Sequence, residues 1–87
     1  MNMNRVYKYT LYPDGKIEMP LGAEILSTAF QGEELQIWAV VDMEEERKED
    51  RYFHVFGTGH DINIAPESMV FVGTVFLNNL VFHVFEY

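Results

Sequence analysis

The feature that most constrains the fold is an alternation of apolar and polar side chains, with a period of two, along most of the chain. Because successive side chains of a β-strand point to opposite faces, this period is typical of half-buried strands. The residue types agree, since Val, Ile, Thr, Tyr, Phe and Trp supply 31 of the 87 residues and Ala only 4. The chain is therefore predicted to be all-β.

Turn-forming residues divide the chain into six predicted strands and one short extended piece. Pro-Asp-Gly at 13–15, Gln-Gly-Glu at 31–33 and Asn-Asn at 78–79 suit tight turns. The strands are expected at 5–11, 24–30, 34–42, 51–58, 69–77 and 80–86, and the extended piece at 16–19. We expect a single domain over residues 1–87, a roll or barrel-like sandwich of about six mainly antiparallel strands.

Two hairpins are expected between neighbouring strands. One joins strands 34–42 and 51–58 through the segment 42–51, whose six acidic and three basic residues show no apolar stripe that could dock a helix. A solvated hairpin loop is therefore favoured there. The other joins strands 69–77 and 80–86 and turns at Asn78-Asn79, which tolerate left-handed backbone.

The composition excludes several classes of function. The chain has no cysteine, which rules out a disulfide scaffold, a Cys-based zinc or iron–sulfur site and a thiol nucleophile. The net charge of −8 argues against direct nucleic-acid binding, whose affinity comes from Lys and Arg. No stretch approaches the roughly 20 apolar residues that span a membrane, and residues 1–5 lack the apolar core of a secretory signal. These features predict a cytoplasmic protein with no membrane partner.

The most unusual segment is Gly57-Thr58-Gly59-His60-Asp61. Its glycines permit close approach of the backbone to a ligand, and its hydroxyl, imidazole and carboxylate offer polar contacts. Thr58 and His60 could also form a hydroxyl–imidazole pair. These five residues, with Trp38, are the candidate ligand- or partner-binding residues. The alternative for the segment is a bulge or sharp bend where the chain leaves the sheet.

The three histidines, His54, His60 and His83, offer an alternative as metal ligands, because imidazole binds zinc, copper, iron or nickel. A metal site would require the three to converge in space. Two of them lie within a repeated Phe-His-Val-Phe sequence, which suggests equivalent positions in one sheet, and no His-x-x-x-His spacing is present. Histidines on a polar face or hydrogen-bonded in the core are favoured, and no catalytic residue or cofactor is assigned.

The chain holds 7 Phe, 5 Tyr and 1 Trp, which is more aromatic volume than the thin core of so small a domain requires. We expect some of these side chains at the surface, where an exposed aromatic patch marks a partner interface or a subunit contact. A homo-oligomer is accordingly expected.

The sequence resembles a group of small all-β phage and prophage proteins of unknown function. The resemblance rests on Gly57-Thr58-Gly59-His60, on Leu-Val-Phe-His-Val-Phe-Glu at 80–86, and on the segments 7–11, 17–20, 22–23, 25–26, 38–42 and 73–74. It implies a phage accessory protein made in a bacterial cytoplasm. It supplies no catalytic residue.

Three functions are compatible with these features. The favoured one is a non-catalytic accessory binding protein whose partner is a host or phage protein, such as a component of a defence system. The first alternative is a small-molecule binder that takes up a nucleotide signal near residues 57–61. The second is a metal-dependent enzyme that uses the three histidines.

Overall fold

The computed structural model describes residues 3–87. Residues 1 and 2 lie outside the described residues. They belong to the predicted domain and to the N-terminal segment that lacks the apolar core of a secretory signal. Within residues 3–87 the chain forms seven strands and one turn of 3-10 helix at Pro66–Ser68. The strands are β1 (Asn4–Leu11), β2 (Lys16–Pro20), β3 (Glu24–Gln31), β4 (Glu34–Asp42), β5 (Lys48–Gly57), β6 (Val70–Leu77) and β7 (Leu80–Glu86).

The strands form two antiparallel sheets, one in the order β1-β4-β3 and the other in the order β2-β5-β7-β6. The all-β prediction is confirmed, and the architecture is a sandwich and not a closed barrel. The short extended piece at 16–19 is a full seventh strand, because β2 pairs with β5 from Lys16 to Pro20. No helix among residues 3–87 is long and apolar enough to cross a membrane.

The core lies between the two sheets and follows the period-two pattern. Alternate residues of β4, from Leu35 to Val41, face inward and are buried, and the largest fully buried side chains are Met19, Ile37, Val41 and Val84. β4 is the central strand of its sheet, as its apolar sequence indicates. Gln36 is also buried, and its side-chain oxygen accepts a 2.9 Å hydrogen bond from the hydroxyl of Thr10.

The predicted hairpin between strands 34–42 and 51–58 is wrong. β4 has β1 on one edge and β3 on the other, so it offers no edge to β5, and the intervening loop carries the chain from one sheet to the other. The charged loop is also shorter than expected. β5 already begins at Lys48, where Pro20 pairs with it, and the carboxylate of Glu49 accepts a 2.8 Å hydrogen bond from the amide of Gly22.

The predicted hairpin at Asn78-Asn79 is confirmed, since Leu77 pairs with Leu80 and Asn78 has a φ of 55°. The two Phe-His-Val-Phe sequences occupy neighbouring antiparallel strands, where His54 lies opposite Phe85 and Phe56 opposite His83. β5 and β6 flank β7 and run parallel to each other. The segment 58–69 therefore returns the chain from the end of β5 to the start of β6.

The two sheets approach each other closely along β3 and β6. A Cβ atom placed on Gly73 would lie 2.9 Å from Cγ2 of Thr28. Both strands carry a bulge near this approach, between Ile25 and Ser27 and between Phe71 and Gly73. β3 and β6 thus close one side of the sandwich by side-chain contact and are not hydrogen-bonded to each other.

Candidate functional sites

The Gly-Thr-Gly-His segment at residues 57–60 forms a tight turn at the end of β5. The amide of His60 donates a 3.1 Å hydrogen bond to the carbonyl of Gly57, and Gly59 has a φ of +87°. The imidazole of His60 lies over Gly57, where a Cβ would stand 2.7 Å from its Cε1 atom. Gly59 therefore suits the turn through its positive φ, whereas a side chain at Gly57 would have to displace the exposed ring of His60.

His83, and not His60, is the imidazole that pairs with Thr58. Its Nε2 atom lies 2.7 Å from Oγ1 of Thr58, and its Nδ1 atom lies 3.1 Å from Oγ1 of Thr74. A neutral imidazole has one donor and one acceptor nitrogen, so one threonine donates to the ring and the other accepts from it. The two hydroxyls fix the ring on the outer face of β7, and both of its side-chain partners within residues 3–87 are threonines.

His54 and Trp38 lie apart from this turn, whereas Asp61 directly follows it. The ring of His54 stacks on the ring of Phe56, with the two centroids 4.5 Å apart. Phe56 is the residue that lies opposite His83 where β5 pairs with β7. Trp38 lies in β4 of the other sheet, paired with Lys8, and Asp61 is exposed. Among residues 3–87, no three His, Asp or Glu side chains are grouped so that they could hold a metal ion.

A small cavity of about 240 Å³ adjoins the turn and is lined by Gly57, Thr58, His60, Asn79, Leu80, Val81 and Phe82. It is smaller than the roughly 300–1,000 Å³ of most small-molecule sites. Its described lining includes no Lys or Arg, which the phosphates of a nucleotide would require.

The outer face of β6 and β7 adjoins the turn, and we call it the aromatic face. It is formed by Phe71, Thr74, Phe76, Val81, His83 and Phe85, which alternate outward along the two strands. Phe71 and Phe76 are 57% and 67% exposed, and the rings of Phe71 and Phe85 meet edge to face at 5.5 Å. Residues 69–85 contain no Asp, Glu, Lys or Arg. The expectation that surplus aromatics reach the surface is confirmed.

A second surface feature, which the sequence did not reveal, lies at the end of the sandwich where β1 passes into β2. We call it the end groove. It has a volume of about 540 Å³ and is lined by residues 10–15, Phe30, residues 33–35, residues 53–55 and Tyr87. Its floor is apolar, with Leu11, Leu35 and Phe53 contributing core side chains.

The polar groups around the end groove are acidic. Asp14, Glu33 and Glu34 line it together with Tyr12, His54 and Tyr87, and its described lining contains no Lys or Arg. None of the three carboxylates belongs to an ion pair within residues 3–87, whereas Glu45, Glu49, Asp50 and Glu86 each do. The end groove therefore combines three carboxylates that form no ion pair within residues 3–87 with an apolar floor.

Arg51 marks a structural ion pair at the opposite end of β5. Its guanidinium contacts both carboxylate oxygens of Glu86 and donates a 2.7 Å hydrogen bond to the carbonyl of Ala23. The hydrogen bond with Glu86 raises the pKa of Arg51, so the residue stays charged where it is half-buried. This contact ties β5 and β7 to the turn that precedes β3 and belongs to neither surface feature.

Comparison with known proteins gives one match. A family model described as a domain of unknown function, DUF7352, matches residues 3–87. No curated protein and no solved structure matches the chain.

Proposed function

The chain belongs to the DUF7352 family, and we propose that it is a non-catalytic binding protein that contacts a partner protein through the aromatic face and the adjoining turn at Thr58–His60. We further propose that it is an accessory protein of phage type, acting on a host or phage protein in a bacterial cytoplasm.

The exposure of Phe71 and Phe76 is the observation that carries the proposal. Large aromatic side chains that stand out from a sheet face lose favourable burial, and contiguous patches of this kind mark interfaces. His83 lies between the aromatics and pairs with Thr58 of the turn and with Thr74 of β6, so the turn and the face form one continuous surface. Aromatic anchors surrounded by such polar groups are typical of binding hot spots.

The charge distribution indicates the chemistry of the partner. The aromatic face contains no Asp, Glu, Lys or Arg, while the whole chain carries a net charge of −8. A partner surface with an apolar centre and a rim of Lys or Arg would be steered by the acidic surroundings and would bury its centre without desolvating a charge. Raising the ionic strength should then lower the association rate constant, while the energy of the apolar contacts stays largely unchanged.

The test compares two pairs of substitutions in capture experiments from bacterial lysate at low and moderate salt. Phe71→Ser with Phe76→Ser removes the aromatic anchors, and Val6→Ser with Leu26→Ser removes exposed apolar side chains of the other sheet. We expect a captured protein to be lost with the first pair and retained with the second. Equal capture by both pairs, or no captured protein, would overturn the proposal.

Light scattering separates a partner protein from a second copy of the chain. The proposal expects the isolated chain to keep Phe71 and Phe76 exposed, so the first pair of substitutions should leave its mass unchanged. A dimer that dissociates with that pair would show that the aromatic face is a subunit contact, as the homo-oligomer expectation requires, and would replace the proposal.

A further inference from the structure

We propose that the end groove binds an extended, basic peptide segment of a partner, which adds as a strand to the free edge of β5 and places a Lys or Arg side chain among Asp14, Glu33 and Glu34. This site lies on different residues from the aromatic face and does not depend on the function proposed above.

The free edge of β5 is the first observation. β2 pairs with β5 only over Lys48–Tyr52, because β2 begins at Lys16 opposite Tyr52. From Phe53 to Gly57, β5 has β7 on one side and, within the described chain, no strand on the other. On that side the amide of Phe53 donates to the carbonyl of Gly15 and the carbonyl of Gly57 accepts from the amide of His60, so the free edge is centred on Val55. An unpaired strand edge is a template for pairing with another segment.

The register shows which backbone groups face the groove. The amide of Tyr87 donates to the carbonyl of Tyr52, so the backbone groups of Tyr52 point towards β7. The amide of the next residue, Phe53, points away from β7 and donates to the carbonyl of Gly15. Because backbone groups alternate along a strand, the N–H and C=O of Val55 point away from β7. Val55 lines the end groove, so these two groups are offered to whatever enters it.

The side chains of the groove specify the peptide. The apolar floor formed by Leu11, Phe30 and Leu35 suits an aliphatic side chain, and the rim of Asp14, Glu33 and Glu34 suits a cation. The rings of Tyr12 and Tyr87 add faces on which a guanidinium can stack. Lys8 donates a 2.8 Å hydrogen bond to the side-chain oxygen of Gln31, Lys16 lies 4.0 Å from Asp50, and neither belongs to the described lining of the groove.

A synthetic pentapeptide, acetyl-Val-Arg-Val-Arg-Val-amide carrying a fluorophore, tests the proposal by fluorescence anisotropy with the full chain. The peptide is long enough to extend past Val55 on both sides, and we expect saturable binding that weakens with salt. The same peptide with Glu in place of both Arg should bind at least about tenfold more weakly. No binding of the Arg peptide at millimolar concentration would overturn the proposal.

Backbone methylation distinguishes strand addition from simple charge attraction. Only alternate amides of an added strand can face β5, so methylating the amides of residues 2 and 4 and methylating those of residues 1, 3 and 5 should have unequal effects. We expect one methylated peptide to lose at least about tenfold in affinity and the other to bind like the parent. Equal binding of both would overturn strand addition.

Substitutions in the chain locate the peptide. Glu33→Gln with Glu34→Gln removes two rim charges, and Glu44→Gln with Glu46→Gln removes two exposed charges of the loop after β4. We expect the first pair to weaken binding about tenfold and the second pair by less than twofold. Equal losses would overturn the site. Phe71→Ser with Phe76→Ser should leave peptide binding unchanged, so that this proposal and the proposed function fail separately.

Discussion

At the scale of single residues, Gly15 shows how one backbone position fixes the junction between the sheets. Its φ is +73°, and a Cβ there would lie 2.5 Å from the carbonyl oxygen of Phe53. Gly32 has a similar φ of +62° but open space around it. Gly15→Ala should therefore lower the free energy of unfolding by about 3 kcal/mol, and Gly32→Ala by about 1 kcal/mol. Urea denaturation measures both, and equal losses would show that the clash is relieved by movement of Phe53.

The titration of Glu45 reports its contact with Arg47. The side-chain hydrogen bond from Arg47, with a further bond from its backbone amide, lowers the pKa of Glu45 from its ordinary 4.5 to about 2. Because the folded pKa is the lower one, the contact stabilises the fold above pH 4.5 and is lost as the pH falls from 4.5 towards 2. We expect an NMR titration midpoint for Glu45 of about 2, and a return towards 4.5 in Arg47→Gln. A midpoint near 4.5 in the unsubstituted protein would contradict the contact.

At the scale of elements, the β6–β7 hairpin depends on its turn. Asn78 has a φ of 55° and Asn79 does not share the left-handed conformation. Asn78→Ala should cost about 1 kcal/mol in free energy of unfolding, while Asn78→Gly and Asn79→Ala should cost less, because only position 78 needs positive φ. Thermal unfolding of the three variants tests this, and a larger loss for Asn79→Ala would contradict the assignment of the turn.

The elements that the sequence predicted are those defined by local residues. The strands and the turns at 31–33 and 78–79 follow from side-chain period and turn chemistry, and both turns join paired strands. The partner of β4 was mispredicted because adjacency in sequence says nothing about which edges β1 and β3 already occupy. The early start of β5 at Lys48 was missed because charged residues there gain their strand structure from pairing with β2.

The candidate sites divide in the same way. The Gly-Thr-Gly-His turn could be found because its residues are contiguous, yet the partner of Thr58 is His83, 25 residues away. The end groove could not be found, because its lining comes from five separate stretches of chain that only the sandwich brings together. Uncharged sequence from 69 to 85 is the one linear indication of the aromatic face.

At the scale of the whole molecule, charge and apolar surface are segregated. The acidic groups of the end groove lie where β1 passes into β2, whereas the aromatic face lies on the outer side of β6 and β7. A single contact could not satisfy both surfaces, since one suits a basic strand and the other an apolar centre. The two proposals therefore describe separable contacts on one small scaffold.

The close contact between β3 and β6 at Gly73 and Thr28 can be tested with two substitutions. Gly73→Ala would bring a methyl group to within 2.9 Å of Cγ2 of Thr28, and overpacking of this kind costs about 1–3 kcal/mol. Thr28→Ser removes that Cγ2 atom and keeps the hydroxyl, which donates a 2.8 Å hydrogen bond to the carbonyl of Gln36. The double variant should recover most of the stability lost in Gly73→Ala, giving a coupling energy of at least about 1 kcal/mol in urea denaturation. Additive losses would show that the two sheets can separate at this edge, and that β3 and β6 do not hold the sandwich closed through this contact.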